Sequence, residues 1–306
     1  MWSYFGGLLM VAVAGLLWVG VGVAVSRCSA RGWRYDIAQG LSCLGAVLIC
    51  GAILAVNRLR AGTVEFSRFG FLISCFAGVA NFYTNILVAQ AMRRGPNGLV
   101  WGIVESALIG PFLMSVIFFG EQPGVIQVAG LLLILCGVLA MGIAKDEKAS
   151  IRSQRASKSW VAFAFGALLL AMTTQSFNTL PSYFPEMGSN DAVVRTFGLY
   201  FGGLAGFAFT TLPGMIRRRD FGGRGEWTIA VTVMALNTSA GLFFFYRGMD
   251  LLVAAGRAGL GCPLAIGVCV IGFSLYSLLI LKEKFPRASL AGLGAACLGI
   301  ILIAIR

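Results

Sequence analysis

Residues 97–119 read NGLVWGIVESALIGPFLMSVIFF, an apolar run in which Glu105 is the only ionisable side chain. A helix of about 20 apolar residues is long enough to cross the hydrocarbon core of a bilayer. The run therefore predicts a membrane-spanning helix that carries one carboxyl group near its middle.

Similar apolar runs recur along all 306 residues of the chain. They are too long and unbroken for the strands of a small barrel. We predict an all-α membrane protein with ten transmembrane helices. Their predicted bounds are 4–25, 37–56, 69–92, 97–119, 125–144, 159–179, 192–213, 227–247, 252–281 and 288–305.

The composition supports this fold class. Hydrophobic residues make up 58% of the chain and charged residues 12%, and the mean hydropathy is +0.86. A soluble domain carries about 25% charged residues. A soluble enzyme, a secreted disulfide scaffold and a disordered protein are therefore excluded. The sequence also lacks the GxxxxGK[ST], HExxH and GxSxG motifs, so we predict that the protein is not an enzyme.

The chain has no histidine, and its eight cysteines are scattered without a CxxC pair. Most of these cysteines fall within apolar runs, where a thiol acts as a small hydrophobic side chain. We therefore predict no metal site and no bound cofactor, apart from a proton or a sodium ion as the coupling ion.

Positive charge is concentrated in alternate loops. The net charge is +12, and 17 of the 24 basic residues follow the first, third, fifth, seventh and ninth predicted helices. Basic loops remain on the cytoplasmic side. This pattern predicts both termini outside a bacterial inner membrane, and it explains the charge without a nucleic-acid partner.

The two halves of the sequence resemble each other. Residues 1–144 and 159–306 each hold five predicted helices, and a basic linker, 145–158, joins them. Gly120-Glu121 and Lys282-Glu283 end corresponding helices in the two halves. Because each half has an odd number of spans, the second is inverted in the membrane, as in many secondary transporters.

Several short motifs carry a family resemblance. They are Ala14-Gly15-Leu16-Leu17-Trp18, Gly120-Glu121, Gln127-Val128-Ala129-Gly130, Leu281-Lys282-Glu283-Lys284, Ala291-Gly292 and Leu298-Gly299. In this combination the sequence resembles the drug/metabolite transporter superfamily and its EamA-like members. The resemblance implies a ten-helix bundle with a central cavity lined by helices 1, 3, 4, 6, 8 and 9.

One branch of that superfamily is the most similar. EamA-type members usually keep both termini in the cytoplasm, whereas the basic loops here predict the opposite. That departure, together with Pro263 twenty residues before Glu283, resembles the branch of the rhamnose and glucose/ribose porters. This resemblance implies sugar-like substrates.

Glu105 is the main candidate for a functional residue. An ionised, unpaired carboxylate at this depth costs about 3 kcal/mol, so we expect it to be protonated or paired. In the functional interpretation, Glu105 binds a proton or a coupling cation, or it accepts hydrogen bonds from substrate hydroxyl groups. The structural alternative is a hydrogen bond to a neighbouring helix.

Other polar and aromatic side chains within the spans are also expected to face a cavity. The candidate substrate or coupling residues besides Glu105 are Trp18, Asn81, Asn85, Trp101, Gln175, Asn178, Asn237, Tyr246 and Arg257. Amides suit a polyhydroxyl or zwitterionic ligand, and tryptophans suit a sugar ring or an organic cation. The alternatives are interhelical hydrogen bonds and ordinary packing.

Three further features are interpreted as structural. Arg247 and Asp250 are expected at the membrane interface, with their side chains reaching water. Gly198, Gly202 and Gly206 form a stripe that permits close helix packing, either within the chain or in a dimer.

Together these features predict a secondary transporter of a small polar metabolite, working as a monomer or a homodimer in the lipid bilayer. A sugar is the first candidate substrate, and an amino acid, including an aromatic one, or an organic cation is the second. The competing classes are a lipid-handling membrane protein or enzyme, with polar residues at one membrane face, and a structural membrane subunit.

Overall fold

The computed structural model describes residues 2–61, 66–122, 124–143, 159–187, 191–282 and 287–304, and these are mostly helical. The α-helices are α1 (Trp2–Ala30), α2 (Tyr35–Ala61), α3 (Arg68–Met92), α4 (Asn97–Glu105), α5 (Ile109–Phe119), α6 (Val125–Ile143), α7 (Ser159–Thr179), α8 (Ala192–Thr210), α9 (Leu212–Arg218), α10 (Arg224–Ser239), α11 (Tyr246–Ala254), α12 (Gly261–Leu279) and α13 (Arg287–Ala304). The predicted linker at 145–158 and Glu283 lie outside the described residues.

The prediction of a multi-pass, all-helical membrane protein is supported. Within the described ranges, eight helical segments are long and apolar enough to cross a membrane, by length and composition. The helices α6 and α13 contain shorter apolar stretches, Val125–Gly137 and Leu290–Leu302. The exact number of ten spans therefore stays a prediction.

The fourth predicted helix is interrupted directly after its carboxyl group. The helix α4 ends at Glu105, and a 3₁₀ turn, Ser106–Leu108, leads into α5. Pro111 has no N–H to donate to the carbonyl of Ala107, so a regular helix cannot continue through this point. Ser106 Oγ donates to the Ile103 carbonyl at 2.6 Å. The interruption places Glu105 at the end of a helix.

The eighth and ninth predicted helices have different bounds from those expected. The eighth contains a π-helical segment, Ala240–Phe245, and continues through α11 to Ala254. Gly256 then adopts a φ of +66°, a left-handed conformation that glycine tolerates and that ends the helix. The ninth consequently begins at Gly261 rather than at residue 252.

The helix pairs show a regular pattern. The helix α6 packs on α13, α3 on α7 and α8, α1 on α10, α11 and α12, α2 on α8 and α10, and α4 on α7 and α12. Each helix of the first half corresponds to one in the second half: α1 to α7, α2 to α8, and α3 to α10 with α11. If corresponding helices are exchanged, the list of contacts should stay the same. The pair α3/α7 then becomes α10–α11/α1, and α3/α8 becomes α10/α2, and both are observed.

The glycine stripe of α8 lies against α3. A methyl group at Gly198 would stand 2.6 Å from the Phe71 carbonyl oxygen, and one at Gly206 would stand 3.0 Å from the Phe82 ring. At Gly198 there is no room for a side chain, and at Gly206 the Phe82 ring would have to shift, so the two helices approach each other closely. The stripe therefore serves a contact within the chain, which is one of its two expected uses.

Candidate functional site

A cavity lies in the interior of the bundle. Its lining side chains come from α1, α3 and α4 of the first half, and from α7, α8, α10, α11, α12 and the π-helical segment of the second. These include every segment that the family resemblance implies, with α8 in addition. Nine of the ten predicted site residues line it: Trp18, Asn81, Asn85, Trp101, Glu105, Gln175, Asn178, Asn237 and Tyr246.

The cavity is large enough to hold water. It offers about 140 Å³ to the centres of water molecules, whereas one molecule needs roughly 10–15 Å³ by this measure. Glu105 thus borders a space that several waters can fill.

The Glu105 carboxylate has no partner among the described residues. The ion pairs there are Arg34–Asp36, Arg34–Asp220 and Arg195–Asp250, and none of them includes Glu105. Its hydroxyl neighbour, Ser106, donates to a backbone carbonyl instead. The structural alternative, a carboxylate bonded to an adjacent helix, is therefore not observed in the described part of the chain.

The amide side chains of the wall bond partly to one another. Asn85 Nδ2 donates to Asn81 Oδ1 at 3.0 Å, and the Tyr246 hydroxyl donates to Asn178 Oδ1 at 3.3 Å. Gln175 Oε1 is buried and accepts no hydrogen bond from the described residues. Gln175 Oε1 is therefore a buried acceptor of the wall without a donor among the described residues, and the Glu105 carboxylate likewise forms no ion pair there.

The two tryptophans are held by other aromatic rings. The Trp18 ring packs against Phe245, with 5.1 Å between centroids, and Trp101 packs against Phe273 at 5.1 Å. The Trp101 Nε1–H donates to Cys269 Sγ at 3.4 Å. With their positions fixed in this way, the indoles present apolar surface to the cavity.

Arg257 lies apart from the other nine residues. It lines a smaller cavity with Glu121 and Gln127. The Glu121 carboxylate there accepts from the Tyr183 hydroxyl at 3.2 Å and from the Gly259 amide at 3.1 Å. The structure thus does not bring Arg257 and Glu105 together.

Arg195, which is fully buried in α8, is not among the residues predicted from the sequence. Its Nη1 pairs with Asp250 Oδ1 at 3.0 Å, and its Nη2 donates to the Asn178 carbonyl at 2.8 Å and to Ser182 Oγ at 2.9 Å. The guanidinium lies 4.2 Å from the centre of the Tyr246 ring. Arg195 therefore supports two residues of the cavity wall from behind.

Asp250 was expected to reach water from the membrane interface, but its carboxylate, only 20% exposed, binds Arg195 and also accepts from Ser182 Oγ at 2.8 Å. Arg247, in contrast, is exposed as expected. A signal for the pair was available: Arg195 lies in an apolar run, where a basic residue needs a partner.

The described residues contain no group of three His, Cys, Asp or Glu side chains that could hold a metal ion. All eight cysteines are free, and five of them are buried: Cys28, Cys43, Cys50, Cys262 and Cys269. These five fit the interpretation of cysteines as small hydrophobic side chains.

Comparisons with known proteins support part of the sequence interpretation. The model of the EamA-like transporter family matches residues 5–143, which span α1 to α6. A solved crystal structure is similar with a TM-score of 0.63 and 16% identity, over 98% of this chain and 97% of that chain. At this identity the similarity shows the fold alone. No curated protein sequence is significantly similar to the chain.

Proposed function

We propose that the protein is a secondary transporter that moves a small polar metabolite across a membrane by alternating access, and that it is not an enzyme. The observation that carries the proposal is the Glu105 carboxylate, which has no partner among the described residues and borders a cavity in the interior of the bundle. A structural carboxylate would be bonded to the protein, because an unpaired charge in a membrane is costly. The match of residues 5–143 to a transporter family supports the same function.

The helix pairing supports two inverted repeats, 1–144 and 159–306. Exchanging the halves reproduces the main helix contacts, as expected for two similar units that meet at a central site. Movement of one unit against the other would expose Glu105 to each side in turn. The basic loops favour termini outside a bacterial inner membrane.

The substrate of first choice is a sugar or a sugar-like compound. Five amide side chains line the cavity, namely those of Asn81, Asn85, Gln175, Asn178 and Asn237, and amides both donate to and accept from hydroxyl groups. The second candidate is an amino acid or an organic cation, which the tryptophan surfaces and the carboxylate favour. The coupling ion is a proton or a sodium ion bound at Glu105.

A lipid-handling protein is the candidate from a different class. Such a protein needs polar groups gathered at one face of the membrane. The polar groups here lie instead within the spans, with Glu105 about 12 Å along the helix from Asn97. This depth favours a polar solute over a lipid.

The test uses purified protein in proteoliposomes. A thermal-shift panel of sugars, amino acids, nucleosides and quaternary amines selects the test compound, and its uptake and the accompanying proton and sodium fluxes are then measured. We expect Glu105→Gln to abolish ion coupling and weaken uptake. The exposed Glu186 gives the matched control, Glu186→Gln, which should behave as wild type. Coupled uptake by Glu105→Gln at wild-type affinity would refute the assignment of Glu105.

A further inference from the structure

The charge of the central cavity comes from one side chain. Among the described lining residues, Glu105 is the only acidic one, and no lysine or arginine is present. The buried Arg195 packs behind Tyr246, but its charge is matched by Asp250 at 3.0 Å. An ionised Glu105 therefore leaves the cavity and its immediate support with one uncompensated negative charge.

The oxygen atoms of the cavity wall differ in whether they accept a hydrogen bond from the protein. The amide oxygens of Asn81 and Asn178 already accept hydrogen bonds within the wall. Gln175 Oε1 is buried and receives none from the described residues. Glu105, which is half-buried and lines the cavity, forms no ion pair with them. A buried acceptor without a donor costs about 1–3 kcal/mol. A ligand that donates hydrogen bonds could therefore satisfy Gln175 Oε1 and the Glu105 carboxylate, which the described residues leave unbonded.

Aromatic rings complete this environment. Trp18, Trp101, Phe245 and Tyr246 all line the cavity. The face of an aromatic ring attracts cations, and tryptophan does so most strongly. An anion in the cavity would meet these rings and the Glu105 carboxylate, and the described lining residues offer it no basic side chain in return.

We propose that the central cavity recognises a small molecule through a protonated primary amine, which donates hydrogen bonds to Glu105 and to Gln175 and lies against the tryptophan rings. This inference rests on the proposed function, because it names the charged group of the substrate of that same site. It is compatible with a hydroxylated substrate, whose other groups would use the remaining amides. A quaternary amine would satisfy the charge but has no N–H for Gln175.

The test compares four probes that share one ring and differ in charge and donors. They are benzylammonium, benzyltrimethylammonium, benzyl alcohol and benzoate. Binding to the purified protein is measured by isothermal titration calorimetry in nanodiscs of zwitterionic lipid, so that the membrane surface does not concentrate cations. We expect benzylammonium to bind about tenfold more tightly than benzyl alcohol, equivalent to about 1.4 kcal/mol. Benzyltrimethylammonium should fall between them, and benzoate should not bind.

Two variants test whether Glu105 and Gln175 are the residues that bind the amine. Glu105→Gln should make benzylammonium and benzyl alcohol bind equally, and Gln175→Leu should reduce the advantage of the primary over the quaternary amine, since the hydrogen bond to Glu105 remains. Glu186→Gln, an exposed change of the same type, should preserve the wild-type order. If Glu105→Gln does not fold, the order of the four probes on the wild-type protein still decides the question.

Equal binding of benzylammonium and benzyl alcohol to the wild-type protein, or binding of benzoate, would overturn this inference. Either result would leave the proposed transport function intact, because a neutral or anionic solute can still be carried. Conversely, the expected order of probes without any uptake into proteoliposomes would retain the amine site and refute transport.

Discussion

Two regions of the bundle hold buried or half-buried carboxylates, and they differ in how the protein treats the charge. Around Asp250, the carboxylate binds Arg195 at 3.0 Å and Ser182 at 2.8 Å, and the guanidinium makes further bonds to neighbouring helical segments. Around Glu105, the described residues supply neither a cation nor a hydrogen-bond donor to the carboxylate. In the first region the two charges compensate each other, although Arg195 Nε has no acceptor among the described residues, whereas in the second the carboxylate has no partner charge there.

This difference separates a structural role from a binding role. Removing one partner of a satisfied buried ion pair exposes the other to an apolar environment, so the pair resists mutation. Removing an unsatisfied carboxylate takes nothing from the protein itself. The same kind of substitution should therefore destabilise one region and leave the other stable but unable to bind.

The largest effect is expected for Arg195→Met. It leaves Asp250 without its cation and removes the donors to Asn178 and Ser182, so we expect a loss of about 3–5 kcal/mol in the free energy of unfolding. Denaturant unfolding in detergent micelles measures it. The double variant Arg195→Met/Asp250→Leu should recover most of this loss, because neither charge remains. A single variant as stable as wild type would remove the contrast between the two regions.

Glu105→Gln, in contrast to Arg195→Met, should not lower the free energy of unfolding. An amide costs less than a charge to hold in this environment, so the free energy of unfolding should stay equal or rise by about 1 kcal/mol. The same unfolding measurement checks it, with Glu186→Gln as control. A loss of 2 kcal/mol or more would mean that Glu105 has a structural partner after all.

Tyr246→Phe should sharpen the comparison, because Tyr246 belongs to both regions. The hydroxyl donates to Asn178 at 3.3 Å, while the ring covers the Arg195 guanidinium. Losing the hydroxyl but keeping the ring should cost about 0.5–1.5 kcal/mol of stability. In a double-mutant cycle with Arg195→Met the two effects should not add, since both act on Asn178. Strict additivity would show that the two contacts are independent.

The smallest effect is expected for Arg34→Gln, in a third ion-pair region at the turn between α1 and α2. Arg34 binds Asp36 at 2.7 Å and Asp220 at 3.2 Å, and all three side chains are partly exposed. The hydrogen bond that Arg34 donates to Asp36 raises the pKa of Arg34, so the group stays charged at any working pH. Exposed pairs contribute about 0–1 kcal/mol and are screened by salt. The free energy of unfolding of Arg34→Gln, measured at low and at high salt, tests both the size of the contribution and its screening. A loss of stability above about 1 kcal/mol that does not change with salt would contradict both expectations.

The helices and most of the cavity wall could be predicted from sequence because both follow from the cost of polar groups in lipid. Apolar runs located the segments, and polar side chains within them marked the interior, as for Asn81, Gln175 and Asn237. Pro111 indicates a break in the run 97–119, but the position of that break directly after Glu105 was not predicted, because the run stays apolar on both sides of it.

Pairing between distant residues could not be predicted in the same way. The position of Arg195 in the apolar run of α8 indicates that it needs a partner, but it does not identify that partner. Its partner Asp250 is 55 positions away and becomes a neighbour only through the packing of the bundle. The placement of Arg257 beside Glu121 likewise depends on the turn at Gly256, whose φ of +66° redirects the chain.

The position of Glu105 within the candidate span Asn97–Phe119 has a consequence for electrical behaviour. A site that faces the two membrane sides in turn carries its charge through part of the voltage drop, which amounts to about 2.3 kcal/mol per elementary charge at 100 mV. In the proposed cycle, the return of the empty carrier with an ionised Glu105 is therefore driven or opposed by the membrane potential. A cationic cargo at the same site cancels that charge, so the loaded step proceeds without sensing the voltage.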